Sequence, residues 1–106
     1  MVNSILTASG LPYKESRFPN PPAGAYAVYL DSVAADGPDG MNLIFTHDIA
    51  VEVYEPKPDP AAEAALEAAI SAAGLHYTKQ ARYWLDSVRR YQVIYEFTYI
   101  KKRRAK

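Results

Sequence analysis

The sequence predicts an α+β fold: a single antiparallel sheet of about four to five strands, one main helix over residues 60–73 packed on it, and a short amino-terminal helix. Three observations carry this. Apolar and polar residues alternate with period two over Ala25–Val33, through the later part of Asn42–Tyr54, and over Tyr91–Ile100. An alanine-rich stretch bracketed by helix start and stop signals separates the second of these runs from the third. Clusters of proline, glycine and aspartate mark the turns between them.

Val2, Ile5 and Leu6 stand at helical spacing ahead of Gly10 and Pro12, which predicts a short helix over Met1–Ser9 capped by Asn3 or Ser4. Tyr13–Phe18 alternates weakly and is expected to form a first short strand. The following PNPPAG cannot be a central strand, because proline has no N–H to give to a ladder. In the strand Ala25–Val33, Tyr26, Val28 and Leu30 share one face and Ala27, Tyr29 and Asp31 the other. ADGPDG then offers two Asp-Gly pairs and predicts a long hairpin with an acidic, mobile tip into Asn42–Tyr54. Leu43, Ile44 and Phe45 break the alternation at the start of that second strand, whereas Ile49, Val51 and Val53 restore it on one face.

Pro56, Pro58 and Pro60 stop the pairing near Glu55. Asp59 occupies the N-cap position and Pro60 the first helical position, where the missing N–H costs nothing. Ala62, Leu66, Ala69, Ile70 and Ala73 form one helix face, Glu63 and Glu67 are expected on a solvated one, and Gly74 ends the helix in the left-handed conformation. His76–Leu85 reads as a strand, Asp86–Arg90 as its turn, and Tyr91–Ile100 as the last strand with Tyr91, Val93, Tyr95, Phe97 and Tyr99 on one face.

The 106 residues suit one domain, expected over 1–100, followed by a flexible basic tail at 101–106. The chain has no cysteine, no apolar run of membrane-spanning length and no basic flank before its first apolar residues, so a soluble intracellular protein is expected. Net charge is zero but unevenly spread: residues 1–53 carry two bases against six acids, and residues 54–106 carry ten bases against six acids. Such asymmetry supports head-to-tail contact between copies or with neighbours.

The residue patterns of common catalytic and metal sites are missing. His47 and His76 stand alone without zinc spacing, and Asp31, Asp36 and Asp39 lack the alternation of a calcium loop. No serine lies in a nucleophile elbow, and no glycine-rich phosphate loop precedes the helix. Glu63 and Glu67 fit an exposed helix face better than a catalytic pair. Nine tyrosines and a tryptophan could stack on single-stranded nucleic acid, but zero net charge favours a core face and a protein interface.

Three stretches, LPYKESRFPNPPAGAYAVYL, IAVEVYEPKPDPAAEAALEAAISAAGLHY and YQVIYEFTYI, together resemble the tail-terminator proteins (also called tail-completion or head-tail joining proteins) of long-tailed bacteriophages and prophages. The resemblance covers most of the chain. It implies a non-enzymatic virion protein without cofactor, assembled in the host cytoplasm and located at the head-tail junction. It further implies a homohexameric ring on the head-proximal end of the tail tube that stops tube growth, with the major tail tube protein and a head-closure or connector protein as neighbours and DNA passing through without specific binding. Within that frame, Asp36 and Asp39 are candidates for the channel or a ring face. Lys101, Lys102, Arg103 and Arg104 form a candidate partner-binding tail, and Tyr26, Val28 and Tyr29 a candidate subunit-interface strand. A head-closure protein at the portal side and a small nucleic-acid-binding domain are the alternatives.

Overall fold

The structure, a computed structural model, describes residues 1–37 and 44–102. Its centre is β3 (Ile44–Glu55), paired antiparallel along its length with β2 (Tyr26–Asp36) on one side and β6 (Arg90–Lys102) on the other. The remaining elements are α1 (Val2–Ser9), β1 (Tyr13–Glu15), α2 (Pro60–Ala72), β4 (Thr78–Lys79) and β5 (Tyr83–Leu85). The fold is α+β, with a six-stranded sheet in the order β1-β2-β3-β6-β4 and β5 also on β6. No helix among the described residues is long and apolar enough to cross a membrane.

Alternation places one residue set under both helices. Ala27, Val53 and Val93 form one cross-strand row, Tyr29, Val51 and Tyr95 the next, and all six are buried. Leu66 and Ile70 of α2 and Val2, Ile5 and Leu6 of α1 close over them. Helix α2 begins as the sequence predicts, with Asp59 accepting a hydrogen bond from the Ala62 N–H at 3.1 Å. It ends in a Schellman motif: Gly74, at φ 79°, donates to Ser71 and Leu75 to Ile70. Helix α1 has Met1 at its N-cap with no side-chain cap, so neither Asn3 nor Ser4 plays that part. Asn3 instead accepts from Tyr29 Oη through its side chain and from Tyr13 Oη through its carbonyl.

The sheet is mixed, not wholly antiparallel, because β1 runs parallel to β2. The proline-rich return over residues 16–25 makes this possible. Phe18 meets Tyr26 edge-on, and Arg90 donates to the Ala23 carbonyl at 3.1 Å, so the return is tied down at two points.

The strand expected over His76–Leu85 is two short strands separated by a register shift. From Lys79 to Tyr83 the chain advances four residues, while β6 advances three from Tyr95 to Gln92. One extra residue is therefore accommodated, and the parity of the strand inverts across it. Lys79 faces the helices before the bulge, and Arg82 and Trp84 face them after it.

The basic segment is not wholly a tail: β6 continues through Lys101 and Lys102, which pair with Phe45 and Ile44. Substituting Leu66, which is fully buried, by Ala is expected to lower the unfolding free energy by about 2–5 kcal/mol, and Asp59→Ala by about 1 kcal/mol. Urea denaturation checks both; a Leu66→Ala loss below about 1 kcal/mol would contradict the seat of α2 on this core.

Candidate functional site

Beyond the row Asp31–Ile49–Phe97 the helices reach only Tyr99, and β2, β3 and β6 continue together as a three-stranded arm. Five further residues of β2 carry it about 17 Å, and the chain measures 50 × 26 × 21 Å. Exposed apolar side chains lie on both faces: Val33 on the helix side, and Ile44 and Ile100 on the other.

The arm is braced at its root. His47 Nδ1 lies 3.0 and 3.1 Å from the two Asp31 carboxylate oxygens, and its ring stacks on Tyr99 at 4.6 Å and 6°. Burial, and then the negative charge of Asp31, raise the pKa of Tyr99 against the opposing effect of the Val2 backbone. On the opposite face Thr98 donates to Asp48 at 2.7 Å. Asp31 and His47, which the sequence leaves as separate polar residues, are thus partners across the ladder.

The candidate residues fall in different places. Asp36 is the last residue of β2, in one row with Ile44 and Lys102 at the far end of the arm. Its Oδ1 accepts from the Gly37 N–H at 2.8 Å. Asp39, Arg103 and Arg104 lie outside the described residues. Tyr26, Val28 and Tyr29 are not an open interface strand: all three are buried, and residues 27–29 are already paired with β1. Tyr29 is covered by Tyr13 and α1, and Tyr26 lies between Phe18 and Tyr54. The outer margin of β2 is unpaired among the described residues only beyond Leu30.

At the opposite end of the sheet lies a feature absent from the sequence reading. Glu63 is buried, not solvated, because the proline turn after β3 folds the first turn of α2 back over Glu55. Arg82, aimed inward by the bulge, donates to Glu63 Oε2 at 2.7 Å. Lys79 donates to Glu63 Oε1 at 2.9 Å and to Glu67 Oε2 at 2.7 Å, and Tyr95 Oη donates to the same Glu67 oxygen at 2.7 Å. Glu55 is fully buried, and its oxygens have no well-formed hydrogen bond; Arg82 Nε stands 3.5 Å from Oε1.

Three carboxylates therefore face two cations. Below about pH 7 a proton on Glu55 balances the charge. Burial, then contact with Glu63 and its negative charge, raise the Glu55 carboxyl to about 7 against the pull of Arg82. Burial also acts to raise Glu63, but bonding to Glu55, Arg82 and Lys79 outweighs it and the net shift is downward. The Lys79 ammonium lowers Glu67, and the two glutamates raise Lys79. The bonding capacity of the cluster is spent largely on itself, docking β4 and β5 against α2. Among the described residues, no group of three or more His, Asp or Glu side chains is arranged to hold a metal ion.

Comparison with known proteins returned no matching family model, no matching curated protein and no matching solved structure.

Glu55 sets a pH dependence of defined sign. Between the ordinary carboxylate value of 4.5 and about 7 the folded chain holds a proton that the unfolded chain releases, so stability falls as pH rises through that window. Glu63 and Glu67, both lowered, contribute stability above the ordinary value that is lost as pH falls through their folded pKa values. Glu55→Gln is expected to flatten the fall between pH 5 and 8 and to stabilise the protein at pH 8 by on the order of 2 kcal/mol. Urea unfolding at several pH values checks this; an unchanged slope would show that Glu55 carries no proton there.

Proposed function

We propose that this chain is a structural subunit of a long-tailed phage or prophage. It closes into a ring on the head-proximal end of the tail tube, stops tube growth and joins tail to head. The observation that carries the reading is the arm: an elongated subunit extends three strands past its own core with an unpaired margin on each side among the described residues. Such edges are templates for pairing with another chain. A heterologous contact that closes on itself uses both edges and leaves none for further addition.

The three sequence stretches that resemble tail terminators supply the identity of the polymer being capped. In this reading Asp36 brings negative charge to the β2 margin at the arm tip, where it meets a neighbour. Lys101 and Lys102 act from the β6 margin of the arm, as strand residues, in contact with a neighbour.

Deleting the gene from its phage and imaging the lysate tests the proposal. Tubes of uncontrolled length beside DNA-filled, tailless heads are expected. Empty heads beside tails of normal length would transfer the protein to head closure, and normal virions would reject both roles.

A further inference from the structure

The two margins of the arm differ in charge and share a direction. β2 and β6 each run antiparallel to β3, so they run parallel to one another. Beyond the β1 pairing, the outer margin of β2 over residues 31–36 has no ladder partner among the described residues. The outer margin of β6 over residues 97–102 likewise has none, since β4 and β5 stop at Glu96. The β2 margin ends in Asp36 and the β6 margin in Lys101 and Lys102. Asp36, Ile44 and Lys102 occupy one cross-strand row on one face.

Rotation about a ring axis preserves strand direction relative to that axis. A neighbour generated by rotation therefore presents its β2 parallel to the β6 it meets, tip beside tip. A two-fold pairing of like edges instead runs antiparallel and sets the lysines opposite Phe97 and Thr98, which carry no counter-charge. We infer that copies of this chain join arm to arm, the β6 margin of one lying parallel to the β2 margin of the next, with Lys102 against Asp36. The occupant of each open edge is a second copy. This inference rests on the reading of the chain as a ring-forming subunit, and it names the surface and the polarity by which the ring closes.

The contact has two parts. Backbone pairing supplies affinity without sequence demand. The charge pair favours this register, because a two-residue slip that keeps the faces would set Asp36 beside Ile100 in place of Lys102. Ile100 and Ala34, which flank Thr46 in the next row of the same face, then approach across the junction and bury apolar surface that the isolated chain exposes.

Charge exchange tests the polarity. Asp36→Lys alone and Lys101→Asp with Lys102→Asp alone are each expected to weaken self-association at least about tenfold, read by light scattering on a sizing column and by native mass spectrometry. All three substitutions in one chain invert both margins and should restore the wild-type oligomer; failure of that restoration, with the chain folded by circular dichroism, overturns the inference. The chain has no cysteine, so Ala34→Cys with Ile100→Cys gives a second measurement with a short bismaleimide. A ladder of covalent multimers from the double variant, without dimers from either single variant, is expected. Dimers from Ile100→Cys alone would show two-fold β6 pairing and overturn the inference. A wild-type ring unaffected by charge reversal would move the interface elsewhere while leaving the ring reading intact. Wild type that stays monomeric while gene deletion still gives overlong tubes would reject arm-to-arm closure and leave the capping role standing.

Discussion

The two-sided pairing of β3 is the constraint on which the rest of the fold depends. Eleven of its twelve residues pair with β2 and all twelve with β6, so a single register sets the facing of three strands. In its second half the register turns Ile49, Val51 and Val53 toward the helices and builds the core. In its first half the same pairing persists without a covering layer, held by hydrogen bonds and by the side-chain braces at Asp31, His47 and Tyr99. Core and arm are two regions of one ladder, separated by where the helices end.

The C-terminal limit of β3 organises the other end. Pairing with β6 extends to Glu55, and the prolines that follow redirect the chain into α2 within a few residues. That tight return is what buries Glu63 near Glu55. A buried carboxylate without partners is costly, and the bulge between β4 and β5 supplies Arg82 from the facing edge. The cluster spans β3, α2, β4 and β6, so it ties an edge that shares little apolar contact to three elements of the core. β4 and β5 together contain five residues, none of them buried, and the Lys79 and Arg82 bonds give them a specific seat.

Much of this was legible because burial leaves a periodic trace. The alternation of Ile49, Val51 and Val53 and of Val93, Tyr95 and Phe97 gives the core face directly, and Asp59, Pro60 and Gly74 delimit α2 by local chemistry alone. What was not legible lacks such a trace. A three-residue strand contains no signal of whether it runs parallel, so β1 could be placed but not oriented. One inserted residue inverts the facing of Arg82, and no composition marks it. Glu63 looks like a solvated helix residue because its neighbours in sequence are alanines, whereas its burial comes from Glu55, Lys79 and Arg82, which are distant in sequence. Lys101 and Lys102 read as a solvated tail because an arm exposed on both faces imposes no apolar pattern; only their pairing with Phe45 and Ile44 identifies them as strand. Tyr26, Val28 and Tyr29 had the composition of an interface and were covered from within by β1, α1 and the proline-rich return.

The uneven charge of the chain gains meaning from the strand order. The acidic half contributes β2 and most of β3, and the basic half contributes β6. Had β6 paired with β2 on its outer margin, the charges would have met within one chain. With β3 between them, β2 and β6 become opposite margins of the arm, and a separation along the sequence becomes a separation across the sheet. A subunit whose margins differ in sign meets its own copies most favourably in one sense of rotation, because like margins repel and unlike margins attract. Polarity of this kind suits the head-to-tail contact between copies proposed above. It follows from which segments of the chain pair with β3, and no catalytic group is needed to produce it.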